Sequence, residues 1–160
     1  MTRSAAREIA IHCSYSLGFS HETAEEFLSE RLNKESFQRW GEEDPLYREW
    51  PNEKQVRYIE DIVRGVAEHG PELDQYIARY ARNWSFERIP RTAAAIMRVA
   101  MYEILYVPDI PAVAAINDAV EIAKKYEDAK VVSFINGILG SFYRAEFPDE
   151  AQAKPVAKED

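Results

Sequence analysis

The stretch 88–107 is apolar on nearly every face of a helix: Ile96, Met97, Val99, Met101, Ile104 and Leu105 leave no side for water. Such a helix lies at the centre of a bundle, because an all-round apolar surface must be covered on all sides. The rest of the chain supplies the covers. Residues 3–17 repeat Ala6, Ile9, Ala10, Cys13 and Leu17 at helical spacing and stop at Gly18. A second helix is expected from Ser20, with that hydroxyl as cap and Phe27, Leu28 and Leu32 buried. Residues 52–69 place Val56, Ile59, Ile62, Val63 and Val66 on one face behind Asn52 as cap. Gly70-Pro71 opens a fourth helix that reaches about Trp84 and buries Leu73, Ile77 and Tyr80. Pro108-Asp109-Ile110-Pro111 stops the central helix. A sixth, 111–125, then turns Val113, Ile116, Val120 and Ala123 inward, and a seventh, 129–145, carries Val131, Ile135, Ile138 and Phe142 on one stripe.

No period-two strand pattern, internal repeat or glycine-rich phosphate loop occurs. The expected fold class is therefore all-α, about seven helices around one core or in two small packed sub-bundles (the latter is what the family resemblance below implies), with short loops making neighbours antiparallel. The domain is expected over residues 1–147. Residues 33–51 are its least regular part, an irregular loop insertion with one short helix through Ser36 to Trp40. The large aromatics Phe37, Trp40 and Trp50 suggest that it folds back on the body. Residues 148–160, rich in Ala, Lys, Glu, Asp and Pro, read as a disordered tail.

Composition narrows the class further. No apolar run approaches the roughly 18 residues of a membrane span, and Met1-Thr2-Arg3-Ser4 lacks the apolar block of a signal peptide. Cys13 is the only cysteine, which excludes an intrachain disulfide and makes the reducing cytoplasm the simplest address. His12, His21 and His69 show no metal-ligand spacing, and no nucleophile or nucleotide motif appears. An enzyme, a metal and a cofactor are accordingly not expected. The net charge is −8, which opposes nucleic-acid binding unless a local basic patch exists.

Three polar features break the apolar pattern. Arg98 and Glu103 lie on the central helix about 140° apart, so each needs its own partner, such as a salt bridge at a helix seam. Asn117 falls between Val113 and Val120 and reads as a buried amide that fastens a loop or helix end. On the seventh helix, Lys130, Phe134, Gly137 and Ser141 share a flank beside the apolar stripe. That flank offers a cation, an aromatic and bare backbone, the means by which RNA modules hold phosphates and stack bases, although core-edge packing explains the same pattern.

Four linked blocks carry a resemblance. Arg98-Val-Ala-Met-Tyr-Glu103, Asp109-Ile-Pro111, Ala115-Ile-Asn-Asp-Ala-Val-Glu-Ile-Ala-Lys124 and Phe134-Ile-Asn-Gly-Ile-Leu139 follow one another at the spacing found in the NusB family. Ala6-Arg7-Glu8 with Tyr15, and Tyr58-Ile-Glu-Asp-Ile-Val-Arg-Gly65, resemble its first and third helices. The likeness spans about residues 3–145, outside the 33–51 loop. It implies an antitermination factor that binds boxA-type RNA in nascent ribosomal transcripts together with the small-subunit ribosomal protein NusE, and so joins the RNA polymerase elongation complex. Carried over by position, it implies an RNA surface of Arg3, Arg7 and Phe134, which Lys130 would strengthen, and a NusE surface including Tyr15 and Arg91. A homodimer that hides the RNA surface is compatible with this family. Ser4, Ala5 and Ala6 stand where relatives have further arginines, and Ser133 where they often have a basic residue. With the −8 charge, these departures keep a second reading open, a helical protein-interaction module with weak or lost RNA binding.

Overall fold

The computed structural model describes residues 1–153. They form nine α-helices and two short 3-10 turns, with no strand among the described residues, in keeping with the all-α expectation. The chain divides into two compact units, Met1–His69 and Gly70 onward.

The first unit holds α1 (Arg3–Leu17), α2 (Ala24–Arg31), α3 (Lys34–Trp40) and α4 (Glu53–Glu68). Its core forms where α1 packs on α4, burying Ile9, Ala10 and Cys13 with Ile59, Ile62, Val63 and Val66. Asn52 caps α4 as expected, accepting from the Gln55 N–H at 2.9 Å, while the Gln55 side chain accepts from the Asn52 N–H. The second helix begins later than Ser20. Thr23 is the cap, because Glu26 three residues on completes a reciprocal capping box that Ser20 lacks.

The 33–51 segment is more ordered than a loop. Asn33 caps α3, and Pro45–Tyr47 form a 3-10 turn. Its rings interlock: Phe37 meets Trp50 at 4.9 Å and Tyr47 at 5.1 Å, edge to face. Tyr47 then ties the segment to α1 through a 2.6 Å hydrogen bond with His12 Nδ1. Gly41 lets the chain double back closely, since a Cβ there would stand 3.0 Å from the Tyr47 carbonyl oxygen and crowd it.

Cys13 is buried in this unit, and burial pushes its thiol up to about 12, against a smaller opposing pull from Arg31. Thiol-specific alkylation at pH 8 should therefore be slow in the native protein and fast in urea. A folded-state value above the unfolded one means Cys13 contributes its full stability below the unfolded thiol pKa. That contribution is lost as pH rises from there towards about 12.

The second unit holds α5 (Gly70–Tyr80), α6 (Arg91–Tyr106), α7 (Ala112–Ala123), α8 (Ala129–Glu146) and α9 (Pro148–Ala153). α6 is central to it, packed by α5, α7 and α8, with nine residues buried from Ala93 to Glu103. α5 ends at Tyr80 rather than near Trp84. A tight turn closes from the Trp84 N–H to the Ala81 carbonyl at 3.3 Å, and Asn83 adopts the left-handed conformation with φ 69°. Asn117 is exposed, not a buried amide. The buried stripe of α7 is Ala115, Ile116, Ala119, Ile122 and Ala123. Small alanines define that inward face, which rotates Val113, Val120 and Asn117 away from the centre. The expected disordered tail is helical over Pro148–Ala153, and its remainder lies outside the described residues.

Candidate nucleic-acid interface

The candidate surface begins at the amino end of α8. Asp128 caps this helix, accepting from the Val131 N–H at 3.0 Å. Val131, Ile135, Ile138 and Phe142 point inward as expected, so the flank beside them faces outward. Lys130 is exposed one turn before Phe134, which is half-buried. Gly137 continues the flank, exposed and with open space where a Cβ would stand.

Phe134 has a companion that pattern reading does not supply. The turn at Asn83 brings Trp84 against it, ring centroids 4.4 Å apart and planes inclined by 35°. Both rings are partly accessible and form one aromatic platform. The segment carrying Trp84 is also basic. Residues 82–91 hold three arginines against one glutamate in a chain whose net charge is −8. Arg82, Arg88 and Arg91 are all exposed, and Arg82 and Arg88 hold no ion pair among the described residues. These cations lie on the segment that carries Trp84, within the second unit. The signal in the sequence is Arg82-Asn-Trp84 followed by Arg88 and Arg91. Helical spacing conceals it, because a helix running to 84 presents these residues as an ordinary solvated end.

The α1 residues divide. Arg3 is exposed in the first turn, after the Thr2 cap. Arg7 is not a surface cation: its residue is 2% exposed and neighbouring Glu8 is 4% exposed. A guanidinium desolvated to that degree must be compensated inside the protein, so it serves the fold. The spacing of four that puts Arg3 and Arg7 on one face is right about direction. It carries no information on how deep that face lies. Arg3 belongs to the first unit, and Lys130, Phe134 and Trp84 to the second.

Of the remaining polar residues, Arg98 donates from Nε to Asp74 Oδ1 at 2.6 Å, the seam salt bridge expected, here between α5 and α6. Glu103 is fully buried and engaged within the protein. Tyr15 is exposed at the end of α1, edge-on to exposed Phe19 at 5.1 Å. Arg91 is exposed at the start of α6. Among the described residues, no group of three His, Cys, Asp or Glu side chains is placed to hold a metal ion. None of the helices there is long and apolar enough to cross a membrane.

Residues 4–144 match the family model described as the NusB family. The chain belongs to the NusB family. The resemblance read from four short blocks therefore extends along most of the chain. Relatives called transcription antitermination protein NusB include that of Carboxydothermus hydrogenoformans, 37% identical over 94% of this chain and 96% of the relative. The Acetivibrio thermocellus protein is 36% identical over 91% of each. The Bacillus subtilis protein is 33% identical over 88% of this chain and 94% of its own length. That shared name places these relatives in transcription antitermination. Among solved structures, T. maritima NusB superposes with a TM-score of 0.65 at 24% identity, covering 94% of this chain and 98% of that one. A chain in "Crystal Structure of a Plectonemic RNA Supercoil" gives 0.72 at 24% identity, covering 90% and 95%. Both show that the fold is shared.

Proposed function

We propose that this protein is a transcription antitermination factor that binds boxA-type single-stranded RNA of nascent ribosomal transcripts together with NusE, as part of the RNA polymerase elongation complex. The observation that carries the reading is the Trp84–Phe134 platform, accompanied by exposed Lys130 and by Arg82 and Arg88, which hold no ion pair among the described residues. Unpaired bases stack on such rings, while neighbouring cations hold the phosphates. Arg3, exposed on the first unit, is proposed as a further RNA contact. Tyr15 and Arg91 are the residues proposed for NusE. The family's printed name for its members, and the RNA in the structure of one chain of this fold, support the same direction.

The overall charge predicts weak binding by the protein alone and tighter binding once NusE contributes contacts. Titration of labelled boxA RNA at low salt, with and without NusE, tests this. Absence of binding in both titrations overturns the RNA reading and leaves the family fold serving protein contacts alone.

A further inference from the structure

Helices α1 and α2 and the segment between α2 and α4 line a cavity that the aromatic platform does not use, and of its walls only Tyr15 is also a proposed NusE contact. It measures about 470 Å³ and lies within the first unit, walled by Tyr15, Phe27, Trp40 and Tyr47. The walls are fixed in place. Tyr47 is held by His12 at 2.6 Å and meets Phe37 and Trp40 edge to face, at 5.1 and 5.2 Å. A pocket ordered before its guest arrives avoids much of the entropic cost of binding.

The charges around the cavity decide what the guest is. Arg31 also lines it, but its guanidinium lies 4.4 Å over the Phe27 ring and pairs with Glu22 at 2.8 Å. Arg39 is held by Glu35 at 3.4 Å and by the Ser36 hydroxyl at 3.3 Å. Both cations therefore carry their own counter-charges. The acids on the rim do not. Glu43 is exposed and holds no ion pair among the described residues. Asp44 uses one carboxylate oxygen to accept from the Leu46 N–H at 2.9 Å and has no ion pair among those residues. Residues 21–50 carry nine Asp and Glu against four Lys and Arg. A field of that sign repels a phosphate chain and concentrates a cation. Aromatic walls with carboxylates at the rim suit a flat cation, which stacks by its face and donates hydrogen bonds from its edge.

We propose that this cavity is a docking site for an arginine side chain presented by a basic segment of a partner protein. The guanidinium stacks on Trp40 and donates to Glu43 and Asp44. A lysine would meet the charge but not the stacking. The cavity shares no residue with the Trp84–Phe134 platform, so loss of peptide binding here and loss of RNA binding there are distinguishable.

The test follows the indole N–H signals of the whole 160-residue chain by NMR, with Trp40 assigned from a Trp40→Phe variant. Ac-Gly-Arg-Gly-NH2 should shift the Trp40 signal saturably, and the citrulline tripeptide, which keeps the shape without the charge, should bind at least about tenfold more weakly. Glu43→Gln with Asp44→Asn retains an oxygen for Leu46 and should weaken the arginine peptide several-fold at unchanged helix content. Equal binding of the citrulline peptide overturns the proposal. So does a Trp40 signal that uridine monophosphate moves at lower concentration than the peptide, which would make the cavity a nucleotide site. No Trp40 shift at any peptide concentration up to the solubility limit also overturns it.

Discussion

A Phe134→Ala protein should bind boxA-type RNA about ten- to a hundredfold more weakly and unfold at nearly the same urea concentration. One base stacked on an aromatic ring is worth about 1–3 kcal/mol by alanine substitution, and each 1.4 kcal/mol is about tenfold in affinity. Phe134 is half-buried and its ring packs on Trp84, so truncation empties a surface ledge and leaves the core intact. Trp84→Ala should behave alike. Salt separates stacking from charge. Loss of a ring lowers affinity and leaves the slope of log K against log salt unchanged, whereas Arg82→Gln or Arg88→Gln should each lower that slope by about 0.7, the value for one single-strand phosphate contact. A Phe134→Ala protein that unfolds instead would make the ring part of the core and remove the main support for the RNA reading.

The largest stability effect is expected at Phe142. This residue follows Ile138 by four positions on α8, so both lie on the inward stripe. Its ring is fully buried and meets Tyr76 at 5.0 Å, Tyr80 at 6.3 Å and Phe147 at 6.1 Å, all near edge to face. These partners come from α5 and from the junction of α8 and α9, so one side chain locks three elements together. Phe142→Ala removes the buried ring and leaves a cavity that three tethered rings cannot fill, at a cost of about 3–5 kcal/mol. Urea unfolding followed by circular dichroism measures it. A loss below about 1 kcal/mol would mean that the surrounding rings collapse into the space.

These two phenylalanines, two turns apart on one helix, show how far pattern reading goes. The 3.6-residue period assigns Phe142 to the inward stripe and Phe134 to its edge, and both assignments hold. Periodicity gives the direction of a side chain about its helix axis, but not what lies opposite. The same limit accounts for Asn117, where Val113 and Val120 outweigh, in the sequence, the alanines that define the packed face of α7. It also accounts for Arg7, whose direction follows from spacing and whose depth does not.

The sequence alone determined the helical class and the central place of α6, because both rest on local spacing and residue type, and its blocks carried the resemblance to the family. Tertiary structure decided which cations reach solvent and which ring meets Phe134. Trp84 reaches that ring only because Asn83 takes a left-handed turn, and Arg7 is withdrawn only because other atoms cover it. Exposure and contact depend on parts of the chain far apart in sequence, and no local pattern records them.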